Sequence, residues 1–463
     1  MKTVGVAILG LGVVGSGTYK ILRDHRDFYR RTQHVDIVVE NVLEINKQRA
    51  LDLGIEESRI ADNIAQIVSN PAVDIVVEVI GGVEPARSFV LAALHSGKTV
   101  VTSNKELFCK HWYELEKAAK RTNAGLYFEA SCVGGVPIIR TLTDGVQSNV
   151  ITRLTGIING TTNYILTRMT REGADYATVL RDAQKLGYAE KDPTADVEGF
   201  DAAYKLSILS SLAFHTRVPL EKVYREGIAN VSALDIAHGR DLGYVLKLLA
   251  IGKNGENGVE VRVHPAFIRK DHPLASVSDS FNAVFLQGDS VGDVMLYGRG
   301  AGALPTGSAI VSDVIYAATH ADHKYASFKN TLLPEKGVKF VTDFKSRYYI
   351  RFTAKDRAGV LAKVAGIFAK SNISIADLLQ KGDMDENGVP VILVTHETHE
   401  LAVRRAVEKI RALPEWWPVT SPTGGGAGTG FLGAPRPPAT GGGRAFLRCV
   451  FSNACYFLEK GLY

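Results

Sequence analysis

The sequence predicts an α/β chain of several domains, led by a doubly wound parallel sheet. Three observations carry this. Residues 3–9 form a β-branched run that enters a glycine turn and then a helical stretch at the start of the chain. Further β-branched runs at residues 35–39, 75–80 and 98–102 alternate with helical stretches, the pattern of parallel strands joined by crossover helices. A length of 463 residues exceeds one ordinary core, so two or three domains are expected.

The glycine turn is Gly10-Leu11-Gly12-Val13-Val14-Gly15. Gly10 permits the tight turn, Gly12 lets a pyrophosphate approach the backbone, and Gly15 lets helix pack on strand. Phosphates would meet the unpaired amides and the favourable dipole of the helix start, with Val13 and Val14 lining the turn. After a strand this spacing points to a Rossmann domain binding NAD or NADP; alone it would read as a flexible loop. The acid after the second strand normally holds the adenosine ribose, and Glu40 and Glu44 are the candidates. A solvated loop acid is the plain alternative for Glu44. Lys47 and Arg49 lie within reach of a 2′-phosphate, but no arginine stands at the strand end, so the sequence leans to NAD with use of both. Gly81-Gly82 ends another strand, where the second half of the cofactor would lie. Asn104 reads as an N-cap, which puts Lys105 at a helix start beyond a strand end. A lysine is electrostatically unfavourable there, which argues for a role.

Composition excludes several classes. Hydrophobic content of 46% and charged content of 22% are those of a globular protein. A net charge of +5 without a dense basic stripe argues against nucleic-acid binding. No apolar run is long enough to span a bilayer, and the N-terminus lacks a signal-peptide pattern. The four cysteines, Cys109, Cys132, Cys449 and Cys455, have no metal-ligand or disulfide-framework spacing, so a reducing cytoplasmic setting is expected.

Residues 183–205 are the chemically richest stretch. Glu190, Asp192, Asp196, Glu198, Asp201 and Lys205 crowd together, and Gly187, Pro193 and Gly199 break the segment into turns. Asp201 and Lys205 stand four apart and would share a helix face. Carboxylates that hold an ammonium, beside a lysine that passes a proton, suit an amino-alcohol or amino-aldehyde. Taken alone, Asp-x-x-x-Lys reads equally as a surface ion pair.

The positions Ala183, Gly187, Pro193, Asp196, Gly199, Asp201 and Lys205 resemble the signature of homoserine dehydrogenases. Thr102-Ser103-Asn104-Lys105 and Asn159-Gly160-Thr161-Thr162-Asn163-Tyr164-Ile165 resemble further motifs of that family, and the likeness runs over residues 1–413. It implies NAD(P)-dependent interconversion of L-homoserine and L-aspartate 4-semialdehyde in threonine, methionine and isoleucine biosynthesis. It also implies a cytoplasmic homodimer or homotetramer, monofunctional because no kinase-like segment precedes the first domain. Carried over, Glu190 and Asp196 hold the substrate α-ammonium with Gly187 in the same loop. Asp201 binds the hydroxyl and orients Lys205, Lys205 transfers the proton, and Lys105 assists. A lysine's free value of about 10.4 must fall for it to act as a base near neutrality. Gly302 matches a position at the nicotinamide end. In the loop that follows a strand at residues 125–130, the likeness implies a monovalent cation (Na+ or K+) on Glu129 and the carbonyls of Cys132, Gly134 and Val136. A glycine-rich turn is the plain alternative. The remaining readings are another oxidoreductase of amino-acid aldehydes and a non-catalytic amino-acid sensor.

Residues 1–135 are thus read as the nucleotide-binding domain, and residues 136–330 as an α+β mixed-sheet domain for substrate and dimerisation. Residues 346–420 resemble an ACT domain, a ferredoxin-like module, although Ala358 replaces the proline of its turn after Lys355, Asp356 and Arg357. The resemblance implies a threonine effector; a ligand-free dimerisation element is the alternative. The last strand of the module is expected just after Leu413. Instead Gly/Pro/Arg-rich sequence runs through residues 421–444, so residues 421–463 read as an atypical, disordered tail, and a change of reading frame after about Pro414 would explain it.

Overall fold

The computed structural model describes residues 1–320, 337–354, 357–380, 389–413 and, as backbone, 455–458. Two compact units divide the chain, one over Met1–Phe344 and one within Lys345–Lys460.

The first unit opens with six parallel strands: β1 (Lys2–Leu9), β2 (Val35–Leu43), β3 (Ile60–Ala61), β4 (Ile75–Glu78), β5 (Thr99–Thr102) and β6 (Leu126–Tyr127). Their order is β3-β2-β1-β4-β5-β6. A sheet covered on both faces demands apolar residues at successive positions. Val6, Ala7, Ile8 and Leu9 of β1 and Ile75, Val76 and Val77 of β4 meet that demand, all of them buried. Each such valine, leucine or isoleucine contributes about 1.5–3 kcal/mol on burial. The strand order reverses between β1 and β4, and open sheets bind ligands in the crevice outside that point. Residues 10–15 leave β1 there, and residues 80–82 leave β4.

The helix Val13–Asp24 starts in the glycine turn and packs on the helix Ala303–Thr319. Small residues permit the approach. A Cβ at Gly17 would lie 2.2 Å from the Ala303 carbonyl oxygen, and one at Gly307 would lie 2.9 Å from Thr18 N. The sequence assigns residues 303–319 to the second domain. The structure instead seats Ala309, Ile310, Val311 and Val314 in the core beneath β1. The chain therefore returns to the first sheet after building the second.

The second sheet contains β7 (Ile151–Ile157), β8 (Tyr224–Arg225), β9 (Tyr244–Gly255), β10 (Gly258–Arg269), β11 (Phe281–Gly288) and β12 (Gly292–Arg299). Antiparallel pairs run in the order β12-β11-β7-β9-β10, and β8 lies parallel to β10, so the sheet is mixed as expected. The helices Gly160–Glu172 and Phe200–Ala213 pack on it. The strand expected at residues 125–130 is shorter. Only Leu126–Tyr127 pairs, and Glu129–Ser131 forms a 3-10 turn because the Glu129 amide donates to Asp313 Oδ2 rather than to a strand.

The second unit has β13 (Lys345–Ala354), β14 (Ile375–Gln380), β15 (Val389–Thr395), β16 (Thr398–His399) and β17 (Cys455–Leu458), with helices Val360–Lys370 and Glu400–Arg411. The antiparallel order β17-β13-β15-β14 is that of a β-α-β-β-α-β module. Here the structure corrects the sequence reading of a tail without structure and a module without its last strand. The backbone of Cys455–Leu458 takes the fourth place, with Tyr456 opposite Tyr349. Cys-Tyr-Phe-Leu suits a strand, and β13 otherwise offers an open edge. Lys355, Asp356, Cys449, the boundary at residue 330 and the rest of the tail lie outside the described residues.

Candidate active site

The glycine turn is shaped for a dinucleotide. Gly10 has φ +92°, a value that favours glycine, and its amide donates to Leu43 O at 2.8 Å. A Cβ at Gly15 would stand 2.0 Å from the Gly10 carbonyl oxygen, so helix and turn touch only through glycine. At Gly12 a Cβ would meet nothing within 4 Å. That open space faces a helix start whose first amides have no intrahelical acceptor. Val13 is exposed beside it, and Val14 packs on the core.

Of the two ribose-acid candidates, Glu40 is removed. It lies inside β2, next to Gly5, with its carboxylate 3.9 Å from Arg59. Glu44 lies just past the strand end. Its Oε2 accepts Leu11 N at 2.6 Å, and its Oε1 accepts Asn46 N at 3.0 Å and faces Arg49 at 3.5 Å. It therefore ties the glycine turn to the loop after β2. Lys47 turns instead to Asp62, at 2.6 Å.

Three elements of the first unit converge on Asp201. The helix Phe200–Ala213 starts after Gly199 in the left-handed region (φ +77°), and it carries Asp201 and Lys205 inward. Lys205 Nζ donates to Asp201 Oδ2 at 2.7 Å and to the Ile158 carbonyl at 2.9 Å. Lys105, at the start of the helix Lys105–Thr122, reaches Asp201 Oδ1 at 3.1 Å. Asn104 caps that helix at Leu107 N, as its sequence position implies. Asn159 donates from Nδ2 to both Asp201 Oδ2 (2.9 Å) and Asp196 Oδ1 (2.7 Å), while its Oδ1 caps the helix Gly160–Glu172.

Burial sets this knot apart from a surface ion pair. The side chains of Asp201 and Lys205 are 8% and 10% exposed, and that of Lys105 is 39% exposed. Burial opposes the ionised form of Asp201, but the ammonium groups of Lys205 and Lys105 outweigh it and hold the carboxyl well below the usual range. In return the Asp201 charge raises Lys105 above its ordinary value, against desolvation. Asp196 is raised, first by burial and then by the charge of Asp201, so the two acids differ in readiness to ionise.

Of the other predicted residues, Cys132 touches this knot, its Sγ donating to the Lys205 carbonyl at 3.9 Å. Glu190 and Gly187 are exposed on the loop before Asp196, and the Glu190 carbonyl accepts from Gln184. Gly302 (φ +120°) precedes Ala303, the residue that Gly17 faces, which brings it beside the helix of the glycine turn. A Cβ at Gly134 would lie 2.4 Å from the Gly300 carbonyl oxygen, so the proposed cation loop packs on residues 300–301. Glu129 is buried, and its two carboxylate oxygens accept Ile139 N and Arg140 N, each at 2.8 Å. Burial, then the charge of Asp313, pushes its carboxyl up to about 7. The Val136 carbonyl accepts Ile138 N. No group of three or more His, Cys, Asp or Glu side chains suited to a metal occurs among the described residues.

Sequence reasoning named Asn159 only within its motif and not as the link between the two acids, and it missed Glu78, fully buried at the end of β4. An acid closing the apolar run Ile75-Val76-Val77 was the available signal.

Comparisons with known proteins match this geometry. A family model described as homoserine dehydrogenase covers residues 137–315, and one described as its NAD-binding domain covers residues 10–129. A homoserine dehydrogenase of Mycobacterium leprae is 41% identical over 437 residues, 91% of this chain and 97% of that protein. The chain belongs to the homoserine dehydrogenase family. Members are NAD(P)-dependent oxidoreductases acting on a hydroxyl donor, and the first unit has the family's nucleotide-binding and catalytic parts. An ACT domain model covers residues 348–415. The crystal structure of a family member from Thiobacillus denitrificans has a TM-score of 0.85 and 38% identity, covering 99% of each chain. A hyperthermophilic archaeal homoserine dehydrogenase, solved in complex with NADPH, has a TM-score of 0.58 and 27% identity, covering 71% of this chain and 99% of that one.

Proposed function

We propose that the chain interconverts L-homoserine and L-aspartate 4-semialdehyde at the Asp201 knot, in the pathway to threonine, methionine and isoleucine. The carrying observation is one buried carboxylate that holds two ammonium groups from different helices. When bound in the crevice of residues 10–15, NAD(P) supplies the hydride acceptor or donor; the open approach at Gly12 fits it. Lys205 exchanges the proton of the substrate oxygen. In the reduction direction the substrate oxygen gains negative charge, which an ammonium neutralises and then protonates. Lys105, held protonated by Asp201, lends a second positive charge. Asp201 orients both, and Asp196 with Glu190 receives the substrate α-ammonium.

Both cofactors are expected to serve, with Glu44 as the acid for the ribose. Val13, Val14 and Gly302 line the same cofactor. For the cation, an all-oxygen set of Glu129 and the carbonyls of Cys132, Gly134 and Val136 suits Na+ or K+. The ion would offset the buried carboxylate, with a structural effect readable as a sodium-dependent rise in unfolding temperature. Threonine is the proposed effector of the second unit. A cavity of about 250 Å³ there is lined by Arg357, Gly359, Val360 and Gln380, a cation and a helix start for a carboxylate. A homodimer or homotetramer is the proposed assembly. No helix among the described residues is long and apolar enough to cross a membrane. With Cys109 and Cys132 buried as free thiols, the cytoplasm is the proposed setting.

The test follows absorbance at the reduced-nicotinamide band with L-homoserine and either cofactor. Homoserine-dependent reduction is the expected result. A folded chain that reduces neither cofactor would refute the reading.

A further inference from the structure

Glu78 closes β4 with a fully buried side chain. A buried carboxylate is costly unless hydrogen bonds satisfy it. Burial raises this carboxyl from its usual range, and hydrogen bonds alone oppose the rise. All of those bonds come from segments at the crevice. Oε1 accepts Ile80 N at 2.9 Å and Gly81 N at 3.2 Å, in the loop that leaves β4. Oε2 accepts the Thr102 hydroxyl at 2.6 Å, at the end of β5. The Thr102 oxygen accepts Asn104 N at 2.9 Å. Asn104 caps the helix Lys105–Thr122 and donates from Nδ2 to the Gly82 carbonyl at 2.6 Å. The network therefore runs from Glu78 through Thr102 and Asn104 back to the loop where it began. Lys105 is the next residue, 3.1 Å from Asp201.

We propose that Glu78 is a positioning residue for the reaction, fixing the loop of residues 80–82 and the start of the Lys105 helix as one piece, so that a bound nicotinamide ring and the Lys105 ammonium keep a set separation. This rests on the assignment of Lys105 and of the crevice made above. An apolar side chain at position 78 would fill the core without joining the two segments. The carboxylate joins them, at the two strand ends that border the crevice.

The experiment compares Glu78→Ala, Glu78→Gln, Thr102→Val and Lys105→Ala by steady-state kinetics, with activity normalised to folded protein from circular dichroism. Misplacing a reacting group by about 1 Å can cost on the order of 10²-fold in rate. Glu78→Ala is therefore expected to lower kcat by that factor and to raise KM for the nucleotide. Glu78→Gln should recover most of the loss. Its amide oxygen can accept Ile80 N and Gly81 N, and its amide nitrogen can donate to the Thr102 oxygen. A purely structural role would change the folded fraction and leave kcat and KM per folded molecule unaltered. If Glu78→Ala does not fold, the near-isosteric Thr102→Val decides, with the same direction expected. Unchanged kcat and nucleotide KM in the folded variants, or a Gln variant as damaged as the Ala variant, would overturn the proposal. Lys105→Ala separates the two failures. If it is slow while the Glu78 and Thr102 variants are normal, the positioning role alone falls. If it turns over normally, the assignment of the site falls and the proposal with it.

Discussion

A single carboxylate sets the chemistry at the residue scale. Asp201 pairs with two ammonium groups and offsets part of their mutual repulsion. Lys205→Ala should lower kcat by about 10²–10⁴-fold, the usual contribution of a positioned proton-transfer group. Nucleotide binding, measured by fluorescence titration, should persist; near-normal turnover would remove Lys205 from the mechanism. Asp201→Asn should shift the pH profile as well as the rate. Asp201 is the main reason that Lys105 lies above its ordinary value, so its loss should move any ammonium-dependent limb of kcat to lower pH. An unmoved limb would show that Lys105 does not titrate in the rate. These residues were legible in sequence because Asp201 and Lys205 sit four apart and Lys105 follows an N-cap. Asn159 was legible only as part of its motif, since its links to Asp196 and Asp201 span 37 and 42 residues and leave no local pattern. Glu190, also named in sequence, is exposed on the loop before Asp196.

The decisive feature at the element scale is the seating of the helix Ala303–Thr319 on the helix Val13–Asp24. Gly17→Val would push a side chain into the Ala303 carbonyl, already 2.2 Å from where a Cβ would stand. Overpacking of this kind costs about 1–3 kcal/mol, so the thermal midpoint should fall and the glycine turn should bind nucleotide less well. An unchanged midpoint would mean that the two helices separate without penalty. Strand and helix positions here were readable from β-branched runs and caps. The partner of the helix was not, because an apolar face fixes that a helix is covered and leaves open by what. A second element carries a pH signature. Lys247 in β9 is buried, and its Nζ bonds Asn163 Oδ1 and the Val277 carbonyl. Desolvation, then Arg171, lowers it to about 8. The unfolded value is about 10.4, so between these limits the unfolded chain binds more protons and stability rises with pH. Lys247→Met should remove that rise in denaturant unfolding measured from pH 8 to pH 10; an identical slope would contradict it.

Catalysis and its regulation should be separable at the scale of the whole molecule. Every residue of the Asp201 knot, the glycine turn and the Glu78 network lies in Met1–Phe344, while the cavity of about 250 Å³ lies in the second unit. The archaeal relative solved with NADPH has 99% of its chain matched by 71% of this one, so a family member is built without a comparable remainder. A chain ended at Phe344 should therefore keep kcat within a few-fold and lose any response to L-threonine. The strand Cys455–Leu458 supplies a sharper test. Its backbone completes the sheet of the second unit at the β13 edge. Deleting residues 455–458 touches nothing in Met1–Phe344, so homoserine-dependent reduction should persist while the second unit loosens. Hydrogen exchange at the amides of β13 then reads the effect directly, because an edge strand opened to water exchanges faster than a paired one. Unchanged protection at Tyr349 and Ile350 would show that the tail strand does not hold the module together. Faster exchange together with a lost threonine response would tie regulation in this chain to a strand drawn from far beyond the rest of its sheet.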